Sequence, residues 1–247
     1  MYALKADNLC KSFKSGGRVI KAVDDASLVV EEGEIFGLLG MNGAGKSTTL
    51  KMCTGLLAPD GGSVSVFGSD LSLSETKRLL NVSPQETAVA PALSVLENLV
   101  FMAQIYGADK KAAAAQAEEI AAKLKLTDRL RDRAGKLSGG LMRRLSIAMA
   151  IITKPRLVFL DEPTLGLDVV SRRELWKYIR EISGYTAVIL TTHYLEEAEA
   201  LCNRIAVMSG GKIVACGTPD ELKKISGEDT FENAFLRLTG EEEYIDE

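Results

Sequence analysis

Eight consecutive residues constrain this chain more than any others: Gly40-Met41-Asn42-Gly43-Ala44-Gly45-Lys46-Ser47, which match the P-loop spacing GxxxxGK[ST]. Small residues are needed there because backbone amides must turn inward around a polyphosphate, and glycine permits both the tight path and the close approach. The apolar segment Ile35–Leu39 before it reads as a strand. The residues after it read as a helix from about Gly45 to Leu57, broken by Pro59-Asp60-Gly61-Gly62. The start of that helix aims its positive end at the phosphates. Asn42, Gly43, Ala44, Gly45 and Thr48 are therefore expected to line a nucleotide. Lys46 should reach the β- and γ-phosphates, and the Ser47 hydroxyl should enter the shell of Mg²⁺. ATP and Mg²⁺ are the expected cofactors.

A second cluster supports that chemistry. Leu157-Val158-Phe159-Leu160-Asp161-Glu162 places two acids at the end of an apolar strand. In a parallel sheet this edge is where ligands bind, so the acids can meet the phosphate loop. Asp161 suits the outer shell of Mg²⁺, and Glu162 suits a general base that polarises the attacking water.

The remaining pattern is α/β. Residues 2–36 alternate apolar and polar positions and predict antiparallel strands turning at Ser15-Gly16-Gly17, with Ser63–Phe67 as another strand. From about 94 to 152 the chain is Ala-rich and helix-periodic, with seven alanines between Lys110 and Leu126. Strand–helix alternation then returns. Leu157–Leu160 and Ala187–Leu190 flank a helix around Arg172–Ile182, and Ile205–Met208 and Lys212–Ala215 predict a hairpin across Ser209-Gly210-Gly211. The expected architecture is a P-loop NTPase core with a mainly parallel sheet, an antiparallel β subdomain and an inserted α-helical subdomain. In residue terms, about 1–90 and 153–217 form the α/β core, about 91–152 the helical insert, and 218–247 a C-terminal helical tail, all within one domain.

Leu137-Ser138-Gly139-Gly140 narrows the class of NTPase. Ser138 can cap the following helix while the amides after it form a second anion nest. Placed upstream of the acidic strand, this run resembles the signature motif of ABC ATPases, and the resemblance extends over nearly the whole chain with the motifs in the family's order. It implies that Phe13 stacks on adenine and that Gln85 links Mg²⁺ and the attacking water to the helical insert. It also implies that Gly166-Leu167-Asp168 is the loop that crosses to a second subunit, and that His193 contacts the γ-phosphate. Ser138, Gly139 and Gly140 of one subunit would close over the ATP on the P-loop of the other, in a homodimer or a pseudo-symmetric dimer. Two departures stand out: Leu141 replaces the usual glutamine, which puts one contact to the opposite nucleotide's sugar in doubt, and Met41 replaces a frequent proline.

The family resemblance also implies a membrane-spanning permease as partner, docking near Ala88, Val89, Ala90 and Leu93. Leu96 and Leu99 read instead as the insert's own core. The lead-in Phe36–Gly40 and the short tail Phe231–Gly240 are similar to bacterial exporter ATPases that serve drugs, sodium or antimicrobial peptides; an importer subunit is the alternative. Net charge is −4 with acids and bases interspersed, which argues against a broad nucleic-acid footprint, although soluble ABC ATPases acting on nucleic acid or ribosomes are the rival class. No apolar run reaches the roughly 18–20 residues of a membrane span, so a cytoplasmic chain held at the inner membrane face through its permease is expected. Cys10, Cys53, Cys202 and Cys216 lack metal spacing, and His193 is the one histidine, so reduced, structural thiols are expected. Glu241–Glu247 reads as a solvated acidic tail.

Overall fold

The apolar runs 157–160 and 187–190 carry no polar alternation, and both strands are buried on both faces. The computed structural model describes residues 1–241. In chain order the first part comprises β1 (Tyr2–Ser15), β2 (Arg18–Glu31), β3 (Ile35–Leu39), α1 (Lys46–Cys53), β4 (Gly61–Val66), β5 (Ser69–Asp70), α2 (Ser74–Lys77) and β6 (Leu80–Ser83). Three longer helices follow, α3 (Val95–Ile105), α4 (Lys110–Lys123) and α5 (Gly139–Ile151). The chain then forms β7 (Leu157–Asp161), α6 (Val169–Ser183), β8 (Ala187–Thr192), α7 (Leu195–Leu201), β9 (Arg204–Ser209), β10 (Lys212–Gly217), α8 (Pro219–Ser226) and α9 (Phe231–Thr239).

Six strands make one sheet in the order β10-β9-β3-β8-β7-β6, parallel except for β10 at one edge. β2-β1-β4-β5 make a separate antiparallel sheet. Strand periodicity divides the core between the two faces of the parallel sheet. Ile35, Leu39, Val158, Leu160, Val188 and Leu190 pack against the helices α3 to α7. Their alternates Phe36, Leu38, Leu157, Phe159 and Ile189 pack against α1 and the antiparallel sheet. Leu99 lies fully inside the first cluster and Leu96 packs against it, as expected for the insert's own core. No helix among the described residues is long and apolar enough to cross a membrane.

Three boundaries differ from the sequence expectation. The helix after the phosphate loop stops at Cys53, not near Leu57, because Gly55 adopts φ 72° and its amide returns to Met52 O, while the Thr54 hydroxyl bonds Lys51 O. The strand expected at Ser63–Phe67 runs Gly61–Val66, since Phe67 takes φ 49° and turns the chain. The helix expected at Arg172–Ile182 starts earlier, at Val169, because the Asp168 carboxylate caps it through the Ser171 amide at 2.9 Å. The acidic tail beyond Glu241 lies outside the described residues.

Candidate nucleotide site

The phosphate loop leaves the C-terminal end of β3, at the centre of the parallel sheet, and is wedged between both sheets. Gly45 sits at φ 104°, and a Cβ there would lie 2.5 Å from Ala22 O of β2; one on Gly40 would lie 2.4 Å from Met208 O of β9. Side chains at these two positions are excluded by backbone, so glycine is what allows the loop to approach both sheets. The turn between β9 and β10 fastens the arrangement, with Gly211 N donating to Ala44 O at 3.1 Å and Asp24 N donating to Gly211 O at 2.8 Å.

Lys46 is buried, and its Nζ donates to Gly40 O at 2.7 Å and Met41 O at 3.3 Å, with Glu162 Oε1 at 3.5 Å. The loop's own carbonyls thus hold the amine over the loop. Across the cleft, the Ser47 hydroxyl lies 3.1 Å from Asp161 Oδ1. Thr191, at the end of β8, donates to the same Asp161 oxygen at 2.5 Å and accepts from the Glu162 amide at 3.0 Å. Glu162 itself has φ 51°, an uncommon left-handed conformation for a non-glycine residue. This turn brings Oε2 to 2.8 Å from His193 Nδ1. The two sequence clusters, with His193, therefore converge at the strand ends.

A cavity of about 380 Å³ opens over this cluster, lined by Phe13, Ala22, the run Asn42–Thr48, Gln85 and Glu162. Phe13, near the β1–β2 turn, is 42% exposed and faces the cavity wall, which excludes a core role for it. Gln85 is exposed just beyond β6. Ser138, Gly139 and Gly140 are not brought to this cavity. Ser138 caps α5, accepting from Leu141 N at 3.4 Å, and a separate cavity of about 230 Å³ is lined by Ser138, Gly140, Leu141, Gly166 and Asp168. Within one chain the two motif groups thus line two separate cavities. Leu141 is half-buried against the helical core, and Met41 is exposed.

Sequence reasoning missed three contributors. Thr191 joins both acids, yet a threonine ending a strand reads as an ordinary β-former. Arg143, on α5, is buried against carbonyls around Asp161 and Gln85. Glu197, fully buried on α7, accepts from Trp176 Nε1 at 3.0 Å. Burial pushes its carboxyl above the ordinary range, opposed in part by hydrogen bonding from Thr192 and Trp176. The charges in the pattern THYLEE could have flagged Glu197, but not its depth.

Comparison with known proteins agrees with this geometry. The family model described as ABC transporter matches residues 23–165. The linearmycin resistance ATP-binding protein LnrL of Bacillus subtilis (strain 168) is 39% identical over 92% of this chain and 73% of its own length. The daunorubicin/doxorubicin resistance ATP-binding protein DrrA of Streptomyces peucetius is 44% identical over 84% of this chain, which spans 64% of that relative. Among solved structures, an ATP-binding subunit of an ABC transporter superposes with TM-score 0.86 at 28% identity, covering 96% of this chain and 99% of that one. A dimeric ATP-binding cassette bound to ADP and Pi shares the fold, with TM-score 0.81 at 24% identity over 87% of this chain and 98% of that one. A phosphate loop, paired acids and signature run in this arrangement, matched by a family model over more than half of the chain, mean that it belongs to the ABC transporter family, as one of its ATP-binding ATPases.

Proposed function

We propose that this chain hydrolyses MgATP to drive export of a small molecule through a separate membrane-spanning permease, held at the inner face of the membrane by that partner. The observation that carries the chemistry is the meeting of Glu162 with His193 at 2.8 Å and Lys46 at 3.5 Å, on the wall of the phosphate-loop cavity. Lys46 and the amides of residues 42–48 bind the phosphates, and Phe13 supports the base. Glu162 takes the proton of the attacking water, His193 orients Glu162 and contacts the γ-phosphate, and Gln85, which lines the same cavity, positions the water.

The donors present suit Mg²⁺. Ser47 Oγ and Asp161 Oδ1 are hard oxygen ligands 3.1 Å apart. Among the described residues no three His, Cys, Asp or Glu side chains could hold an ion alone, which fits a cation that takes its other ligands from phosphate and water. Ser47 and Asp161 would hold it, with Gln85 beside them. A cation held there would supply charge neutralisation for the phosphate oxygens.

The separate half-site at Ser138–Gly140 supports a head-to-tail dimer in which each signature run completes the partner's nucleotide site; one of the structural neighbours is a dimeric cassette. The helical insert of about residues 91–152, entered through Gln85, supports coupling to the permease near Val89 and Leu93. Export is favoured because the two relatives described above are named for resistance to linearmycin and to daunorubicin/doxorubicin. The test is a tagged pull-down of Glu162→Gln with MgATP from detergent-solubilised native membranes. Stoichiometric recovery of a multi-span membrane protein is expected; recovery of ribosomes, nucleic acid or the soluble chain alone would overturn the transporter reading.

A further inference from the structure

Arg143 lies on α5, five residues after Ser138, and is 5% exposed. Among the described residues its guanidinium hydrogen-bonds backbone carbonyls and no side-chain carboxylate. Nε donates to Pro163 O at 3.2 Å, Nη1 to Pro84 O at 2.5 Å and Gln85 O at 3.4 Å, and Nη2 to Asp161 O. These acceptors come from two places, the loop following β6 and the end of β7 with the turn after it. Asp161 and Pro163 are the residues on either side of Glu162, whose backbone is the strained one. The adjacent Arg144 does something different, pairing with Glu174 at 3.1 Å.

A planar fork with five donors can satisfy four carbonyls from two directions at once, whereas a lysine ammonium on a flexible stem cannot reproduce that geometry. Burial lowers the pKa of Arg143, opposed in part by the charges of Asp161, Glu162 and Glu197. We propose that Arg143 is a positioning residue for hydrolysis: by gripping the carbonyls that flank Glu162 and those of Pro84 and Gln85, it fixes the separation between the general base and the glutamine that orients the water. Its effect therefore rests on the roles of Glu162 and Gln85 given above.

The test compares Arg143→Lys, Arg143→Gln and Glu162→Gln in the full chain, measuring steady-state ATPase and MgATP binding by a fluorescent analogue. Arg143→Lys should lower kcat about 10²-fold, the scale of a misplaced catalytic group, while KM and nucleotide affinity stay near the parent's. Arg143→Gln, which keeps two donors without charge, should show the same split if the lysine variant does not fold. In the Glu162→Gln background neither change should lower the residual turnover further, because Arg143 acts through Glu162; a merely structural role would instead weaken binding and add to the loss. Normal kcat in Arg143→Lys, or parallel losses in kcat and affinity, overturns the proposal. Normal turnover in Glu162→Gln alone overturns the reading of the base instead, so the two failures are distinguishable.

Discussion

His193 Nδ1 and Glu162 Oε2 lie 2.8 Å apart, with the second carboxylate oxygen turned toward Lys46. The carboxylate thus has one oxygen held by the histidine and one near the Lys46 amine. Glu162→Gln preserves the shape and an acceptor but removes the basic oxygen. It should keep MgATP binding and lose about 10²–10⁴-fold in turnover, the span of a general base. Steady-state ATPase assays decide this, and near-parental turnover would refute the role.

Lys46→Ala should weaken nucleotide binding. Hydrogen bonds to charged groups contribute about 1.5–3 kcal/mol, which corresponds to roughly 10–150-fold in affinity. The change also leaves Gly40 O without its donor at 2.7 Å. Titration with a fluorescent ATP analogue measures the loss; unchanged affinity would place the phosphates elsewhere.

Phe13 faces the cavity from the other sheet, without burial to account for its aromaticity. Base–aromatic stacking contributes about 1–3 kcal/mol per base on alanine substitution. Phe13→Ala should therefore raise the ATP Kd by about 5–150-fold, and Phe13→Tyr should restore it. Equal affinity in Phe13→Ala and the parent would remove Phe13 from the site.

Glu197 links proton binding to stability. Burial raises its carboxyl above the ordinary value of 4.5, so the folded chain keeps this proton where the unfolded chain has lost it. Its contribution is full below the unfolded value and is lost as pH rises through the raised one. Glu197→Gln keeps an oxygen to accept from Trp176 and removes the titration. Urea unfolding between about pH 4.5 and 8 should show the parent losing stability relative to the variant as pH rises. A constant difference between them would contradict the assignment.

The cysteines divide by depth. Burial pushes the Cys53 thiol up to about 12 and Cys202 well above its ordinary value; it raises the thiol of Cys216 as well, but that residue is exposed and Arg204 acts against the shift, and Cys10 is half-buried. Only thiolate reacts, so a disulfide reagent near neutral pH should modify Cys10 and Cys216 in the native chain, and all four in denaturant. Rapid labelling of Cys53, with loss of nucleotide binding, would show the phosphate-loop helix to be open.

Much of this was legible in the sequence where a residue's identity forces its backbone. Gly40 and Gly45 announce a loop that touches other chain segments, and the unbroken apolar runs before Asp161 and after Thr186 announce buried parallel strands. Contacts made by side chains across elements were not legible. Nothing in Leu141-Met142-Arg143-Arg144 tells which arginine turns inward, since both fit a helix equally well. The left-handed turn at Glu162 left no mark either, because no glycine or asparagine stands there. The early end of α1 could have been read from Gly55, but Pro59 gave the louder signal.

β6 and β7 are parallel neighbours, with Leu80 opposite Leu157. Parallel strands cannot be joined by a tight turn; the chain must travel back along the sheet before it can lay down the second strand. The helices from Val95 to Ile151 make that return journey. The part of the protein that carries the signature run is therefore an enlargement of a connector that the sheet already required; it leaves β6 toward Gln85, at the cavity, and enters β7 at Leu157, at the opposite end of the strands. Helices could be lengthened, exchanged or retuned to a different permease within that one detour, leaving the order of strands and the seat of the phosphates untouched.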